Sequence, residues 1–291
     1  MFASRLRECA AEVGRCLREA LADMPDDGSA VADAMRYACA GGKRLRAFLV
    51  MEAGRLHGVA DSRSVRVAAA VEAVHAYSLV HDDLPCMDDD DLRRGRPTVH
   101  VKWNEATAVL AGDALQALAF ELLSSDEVGA GAEIRLALVH SLARAAGARG
   151  MVLGQAQDIA AETADRPLGL REIADLQANK TGALIRWSAE AGALLAGADP
   201  APMRRYAEAL GLAFQIADDI LDVEGEASVT GKRVGKDADA GKATFVSLLG
   251  LEGARARARA LVAQAEAALD PYGERAQTLR EAARFVISRQ M

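Results

Sequence analysis

Two groups of aspartates sit at the ends of apolar runs. In VEAVHAYSLVHDDLPCMDDDDLRRGRPT (71–98) the order is Asp82-Asp83, four residues, then Asp88, and in AEALGLAFQIADDILDV (207–223) Asp218 is followed by Asp222. Clustered carboxylates without a His or Cys partner suit a hard, oxygen-loving cation, and sparse carboxylates open to outside ligands suit Mg²⁺ bridging to a phosphate. The spacing of a calcium loop is absent. At about 100° per residue, Asp218 and Asp222 lie roughly 40° apart on a helix and one turn apart along it, so both project together. A solvated helix face would carry the same pair. Asp82 and Asp88 would lie about 120° apart on an ideal helix. Pro85 disfavours regular helix between them, so the backbone is expected to bulge or end and let them converge.

A phosphate ligand also needs cations. They are present in GGKRLR (41–46), with Lys43 and Arg46, in Arg93-Arg94, and in GKRVGKDADAGK (231–242). Each patch could instead pair with neighbouring acids. In LREIADLQANKTGALIRW (170–187), Lys180 falls within the stripe Ile173, Leu176, Leu184, Trp187. A buried ammonium is costly unless an anion meets it, and snorkelling to a helix edge is the alternative. His75, Ser78 and Asp82 share one stripe, and Gln215 lies on the face of Asp218 and Asp222. Gln155 and Asp158, one turn apart in MVLGQAQDI (151–159), read as a structural pair.

These residues are carried by helices. Only seven prolines occur, and long Ala/Leu/Arg/Glu-rich stretches of good helix propensity separate them. Breaks are expected at 24–30, 85–97, 124–132, 164–169, 197–202, 224–242 and 269–273. No alternating β-branched run and no fixed-period repeat appears. The simplest architecture is an all-α, single-domain bundle of roughly ten helices over residues 1–291.

Composition narrows the function. The 35 Lys+Arg against 42 Asp+Glu give a net charge of −7, and with 4% aromatic residues this argues against a nucleic-acid partner. Hydrophobic residues at 51% fill a sizeable core. The four cysteines, Cys9, Cys16, Cys39 and Cys86, include no C-x-x-C pair and read as reduced thiols. The N-terminus is interrupted by Arg and Glu, and no uninterrupted apolar stretch is long enough to span a bilayer. A cytoplasmic chain without a membrane span is expected.

Together the motifs AMRYACAGGKRLR (34–46), EAVHAYSLVHDDLPCMDDDDLRRGRPT (72–98), EATAVLAGDALQALAF (105–120), GQAQD (154–158), KTGALI (180–185), FQIADDILD (214–222) and GKRVGKDADAGKATF (231–245) closely resemble one family. It is the short-chain trans-isoprenyl diphosphate synthases, within it the bacterial-type farnesyl diphosphate synthases. The resemblance covers nearly the whole chain and implies an all-α fold around a central cavity, usually in a homodimer. It implies that Asp82, Asp88, Asp218 and Asp222 hold Mg²⁺ on an allylic diphosphate gripped by Arg93, Lys180, Thr181 and Lys232. It gives Lys43, Arg46, His75 and Arg94 to isopentenyl diphosphate and puts Gln215 near the reacting groups. Two departures stand out. Ala47 replaces the family's usual Pro, which predicts a looser loop. The chain ends Ser288-Arg289-Gln290-Met291, without the extra basic residue of many members.

Within that resemblance, the growing product must run beside the helix carrying Asp82. Helix geometry favours Ser78, one turn earlier and about 6 Å down, as the lining residue. The resemblance favours the bulk of Tyr77 as the stop, and with it a fifteen-carbon product. A geranylgeranyl diphosphate synthase is the nearest alternative, because some share this expanded first motif. A non-catalytic regulatory partner would be expected to lose the Asp motifs or cations that this chain keeps. Terpene cyclases would have no use for GGKRLR, and a helical scaffold none for Lys180 and Gln215.

Overall fold

The computed structural model describes residues 1–22, 24, 28–224 and 243–288. Lys232, with the rest of 225–242, and the tail residues 289–291 lie outside the described residues. The described chain is a helical bundle. Its helices are α1 (Phe2–Ala20), α2 (Ala30–Ala38), α3 (Leu45–Leu56), α4 (Asp61–Asp82), the short α5 (Val99–Lys102), α6 (Glu105–Ser124), α7 (Ala132–Ala146), α8 (Met151–Glu162), α9 (Leu170–Gln177), α10 (Ala183–Leu195), α11 (Ala201–Glu224), α12 (Phe245–Ala268) and α13 (Gln277–Ser288). A π-helical stretch, Ala178–Gly182, joins α9 to α10 without a break.

The central helix is α4. Val67 to Val74, Ala76, Tyr77 and Val80 are buried on all sides, as expected for a helix apolar all round. It packs on α3 and α6, α3 packs on α10, and α11 lies between α10 and α12. One contiguous set of buried apolar side chains runs from Phe2 to Val286. Helix starts follow local chemistry: the Asn104 side chain accepts the Thr107 N–H at 2.8 Å to cap α6, and the Thr244 hydroxyl accepts the Ser247 N–H at 3.1 Å to cap α12.

The all-α expectation holds, and the structure adds detail to it. A minimal hairpin is present: Leu92–Arg93 pairs antiparallel with Arg96–Pro97. It arises from the turn, since Arg94 and Gly95 both have positive φ, at 55° and 72°, the pattern of a two-residue hairpin loop. Further breaks fall at 39–44, 57–60, 103–104 and 147–150, mostly at single glycines or glycine pairs too short to register as loop composition. Finally, α6 reaches the length and mean apolarity of a membrane span, but Asp113 and Glu121 interrupt it and half of its apolar window is buried inside the bundle, so the expectation of no uninterrupted apolar span stands.

Candidate active site

From Val67 to Asp82, α4 is buried except at His75, Ser78, Leu79, His81 and Asp82, of which His75, Ser78, Leu79 and Asp82 lie at i, i+3, i+4 and i+7. Such a stripe is one helix face left uncovered by its neighbours. A second stripe, Leu212, Gln215, Asp218 and Asp222, runs along α11. The part-exposed Lys180 and Thr181 come from the π-helical stretch, a form enriched at functional sites.

The first Asp group is made by a helix that stops. α4 ends at Asp82, and the chain folds back so that the Asp88 N–H donates to the Asp82 carbonyl at 2.8 Å and the Asp90 N–H to the Asp83 carbonyl at 3.2 Å. The ending near Pro85 expected from sequence thus brings Asp88 under Asp82. The neighbouring Asp83 turns away and is buried, accepting from Arg93 Nε at 3.0 Å and from Arg93 Nη2, while Asp90 Oδ2 lies 3.5 Å from the same guanidinium. Arg93 therefore fastens the loop in this structure. The Asp82 carboxylate accepts no hydrogen bond among the described residues. Burial pushes its pKa up to about 6, Asp88 and Asp83 push the same way, and Lys180 and Arg93 oppose them. A carboxylate held at the negative end of a helix among other carboxylates fits a cation ligand.

The second group is regular helix. Asp218 and Asp222 lie one turn apart on the part-exposed face of α11. Between them Asp219 is buried and accepts the Phe245 N–H at 2.7 Å, tying α11 to the start of α12. Among the described residues no three His, Cys, Asp or Glu side chains form a ready metal cage. One or two carboxylates at a time are enough for Mg²⁺ that shares its shell with water and phosphate, so the residues fit that ion.

Lys180 differs from its sequence reading. It is 26% exposed, and its Nζ donates to Asp158 Oδ2 at 2.7 Å, with Asp82 in its electrostatic surroundings. The hydrophobic stripe around it is real: Ile173, Leu176, Leu184 and Trp187 are buried. The π-helical stretch lets Lys180 leave that stripe for Asp158 and the neighbourhood of Asp82. Asp158, which the sequence suggests as a partner of Gln155, thus meets Lys180. Gly154 allows this, because a Cβ there would lie 2.1 Å from the Lys180 backbone nitrogen.

Opposite in charge is the group around His75. Arg44, Arg46, Arg93 and Arg94 all act on its ring, and burial with these four cations holds His75 well below its usual pKa. The buried acid beneath them is Glu72. Its carboxylate accepts the Ala47 N–H at 3.0 Å and lies 3.7 Å from Arg44 Nη1. Ala47 thus does not loosen the loop: its amide, which Pro would lack, ties the start of α3 to α4. Glu72 also acts on Arg46 and Arg94, but one carboxylate faces three guanidiniums, and the buried Arg46 Nε has no hydrogen-bond partner, so positive charge is left available to an anion. Asp218 is the more distant acid acting on Arg46. Lys43 is exposed on the loop before α3. In that loop Gly42 (φ 85°) leaves room for the Arg94 guanidinium, which would lie 2.7 Å from a Cβ there. Glu72 was legible only as an acid in a helix apolar all round.

The family model of the polyprenyl synthetases matches residues 29–281. The chain belongs to the polyprenyl synthetase family. It is 46% identical over 298 residues to the farnesyl diphosphate synthase of Escherichia coli K12, covering 99% of each chain, and 42% identical over 301 residues to that of Haemophilus influenzae, covering 99% and 98%. The crystal structure of a FPP/GFPP synthase from Zymomonas mobilis superposes with a TM-score of 0.90 at 46% identity, over 98% of both chains. Likeness over the whole chain places the all-α bundle described above within this family.

Proposed function

We propose that this polyprenyl synthetase is a cytoplasmic, Mg²⁺-dependent trans-prenyltransferase, a single domain over 1–291, that joins isopentenyl diphosphate to dimethylallyl and then geranyl diphosphate to give farnesyl diphosphate. One observation carries the reading. Carboxylates suited to a cation lie within electrostatic reach of unneutralised cations: Asp82 feels Lys180, Arg93 and Asp88, and Arg46, whose buried Nε has no hydrogen-bond partner, feels Arg94 and Asp218. Relatives named farnesyl diphosphate synthase support the substrate class.

In this reading Asp82, Asp88, Asp218 and Asp222 hold Mg²⁺, which when bound supplies electrostatic stabilisation of a departing diphosphate. Lys180, Thr181 and Arg93 hold the allylic diphosphate, with Lys232 as a further grip. Lys43, Arg46, His75 and Arg94 hold isopentenyl diphosphate beside it. The allylic C–O bond breaks and its electron pair leaves with the diphosphate. The double bond of isopentenyl diphosphate then attacks the allylic cation, forming the new C–C bond. Loss of a proton to the released diphosphate restores a double bond, so no protein nucleophile is needed. Gln215 lies near the reacting groups, and apolar walls keep water from the cation.

The neutral state enforced on His75 leaves it one N–H donor for a phosphate oxygen while the arginines supply the charge. Tyr77, 5% exposed with its ring edge-on to His81 at 5.8 Å, is the bulk that ends the product channel; the part-exposed Ser78 is too small. The exposed apolar residues of α6, Val109 and Leu110, support a homodimer across this helix.

The test is incubation with Mg²⁺, isopentenyl diphosphate and each allylic primer, with products identified by mass. Fifteen-carbon product that EDTA abolishes is expected. Turnover unchanged in chelator would refute the metal role. Tyr77→Ala should lengthen the product with little loss of condensation, and an unchanged spectrum would place the floor elsewhere.

A further inference from the structure

The hairpin that carries Arg93 and Arg94 is too short to hold itself. It has two residues per strand, and isolated hairpins of this kind are marginal even when longer. Its turn places Arg94, a residue with a Cβ, in the left-handed region at φ 55°. A cavity lies beneath it, lined by Tyr37, Ala76, Leu79 and Val80 on the side facing the bundle, so packing from below is incomplete. Arg93 fastens the first strand to Asp83 and Asp90, but those contacts end at that strand, so something else must fix the return strand and with it where Arg94 points.

Tyr37, near the end of α2, reaches across. Its hydroxyl donates to the Pro97 carbonyl at 2.8 Å, on the return strand. Its ring lies under the Arg96 guanidinium at 3.9 Å and the Lys102 ammonium at 4.0 Å, and meets Trp103 edge-on at 5.3 Å. One side chain thus grips the hairpin and the helix that follows it by a hydrogen bond, two cation–π contacts and an aromatic contact. The chain leaving α2 is the loop of Gly42, Lys43 and Arg44. Tyr37 therefore joins the two cationic loops, and the Arg94 guanidinium seated against Gly42 is where they meet.

We propose that Tyr37 is a positioning residue that clasps the 92–97 hairpin to α2 and so sets Arg94 over Gly42 for the diphosphate of the isopentenyl substrate. This rests on the assignment of Arg94 to that substrate. A surface tyrosine that merely stabilised α2 would affect both substrates alike, whereas a clasp acting through Arg94 affects one.

The experiment is a double-mutant cycle at saturating geranyl diphosphate, with isopentenyl diphosphate varied, checked by titration calorimetry of isopentenyl diphosphate. Tyr37→Leu should raise the KM for isopentenyl diphosphate about tenfold, with kcat within about twofold and the geranyl diphosphate KM unchanged. Tyr37→Phe keeps the ring contacts and should show a smaller rise, about threefold; it carries the test alone if Tyr37→Leu does not fold. Tyr37→Leu combined with Arg94→Gln should bind isopentenyl diphosphate no worse than Arg94→Gln alone. Multiplicative losses in the double variant, or equal losses for both substrates in Tyr37→Leu, overturn the clasp. If Arg94→Gln weakens binding and both Tyr37 variants are silent, the clasp falls and the anion site stands. If Arg94→Gln is itself silent, the site assignment fails first and takes the clasp with it.

Discussion

The two aspartate pairs, Asp82-Asp83 and Asp218-Asp219, solve one problem by different means. In each pair the first residue lies on a part-exposed stripe and the second is buried in the scaffold, Asp83 on Arg93 and Asp219 on the Phe245 amide. On α11 the next carboxylate arrives by periodicity, because the helix runs on through Asp222 to Glu224. On α4 it arrives because the helix ends and Asp88 folds back onto the Asp82 carbonyl. One group is set by helix geometry alone and the other by a loop that must be fastened. Arg93 does that fastening.

That division of labour can be broken most visibly at the first residue of each pair. Asp82→Ala and Asp218→Ala should each lower kcat by about 10³-fold, the scale of losing a principal electrostatic element. Their helical circular dichroism should be unchanged. For Asp82 the fold should gain stability. Its pKa is raised to about 6 by burial, so the folded state favours the protonated form, and that stability is present in acid and lost as pH rises through about 6. A melting temperature at pH 8 higher than wild type is expected, and normal turnover would remove the residue from the site.

Lys180→Met comes next. It keeps the stem and removes the charge that meets Asp158 at 2.7 Å. Activity should fall by about 10²-fold with little change in melting temperature, because a part-exposed pair contributes little to stability. A collapsed melting temperature with normal activity would make the pair structural.

The scaffold members should behave in the opposite sense. Asp219→Ala leaves the buried Phe245 N–H without its acceptor, and Asp83→Ala leaves the part-buried Arg93 with only Asp90 at 3.5 Å, at a cost of about 1–3 kcal/mol each. Denaturant titration should show that loss for both. Only Asp83→Ala should also raise the Mg²⁺ needed for half-maximal activity, since only the α4 group depends on a fastened loop. Equal metal requirements in the two variants would erase the distinction between the groups.

The smallest effect concerns His75. Its pKa is depressed in the folded state by burial and four arginines, so protonation opposes folding: stability is present above the ordinary histidine range and lost as pH falls through it. His75→Gln should flatten the acid side of a melting-temperature profile between about pH 7 and 5. A profile identical to wild type would mean that the charges around His75 are screened.

Much of this was legible in the sequence. Asp218, Asp222 and Gln215 share a face because helix periodicity allows nothing else, and Pro85 announced that α4 would bulge or end before Asp88. Other features were not legible. Asp158 and Lys180 are 22 residues apart and meet because α8 docks on the π-helical stretch across Gly154. The hairpin at 92–97 has no strand-like composition, since its turn makes it. The Ala47 amide finds Glu72 from 25 residues away, which reverses what the missing proline suggested.

The helical class, a break near Pro85 and the types of residue that could hold a cation or a phosphate could be read from residue order alone, because these depend on periodicity, φ restriction and charge within a few residues. Packing across the bundle settles which members of each cluster stay part-exposed and which fasten the scaffold. That choice depends on what stands opposite each side chain: Arg93 for Asp83, Phe245 for Asp219, Asp158 for Lys180, and four guanidiniums for His75.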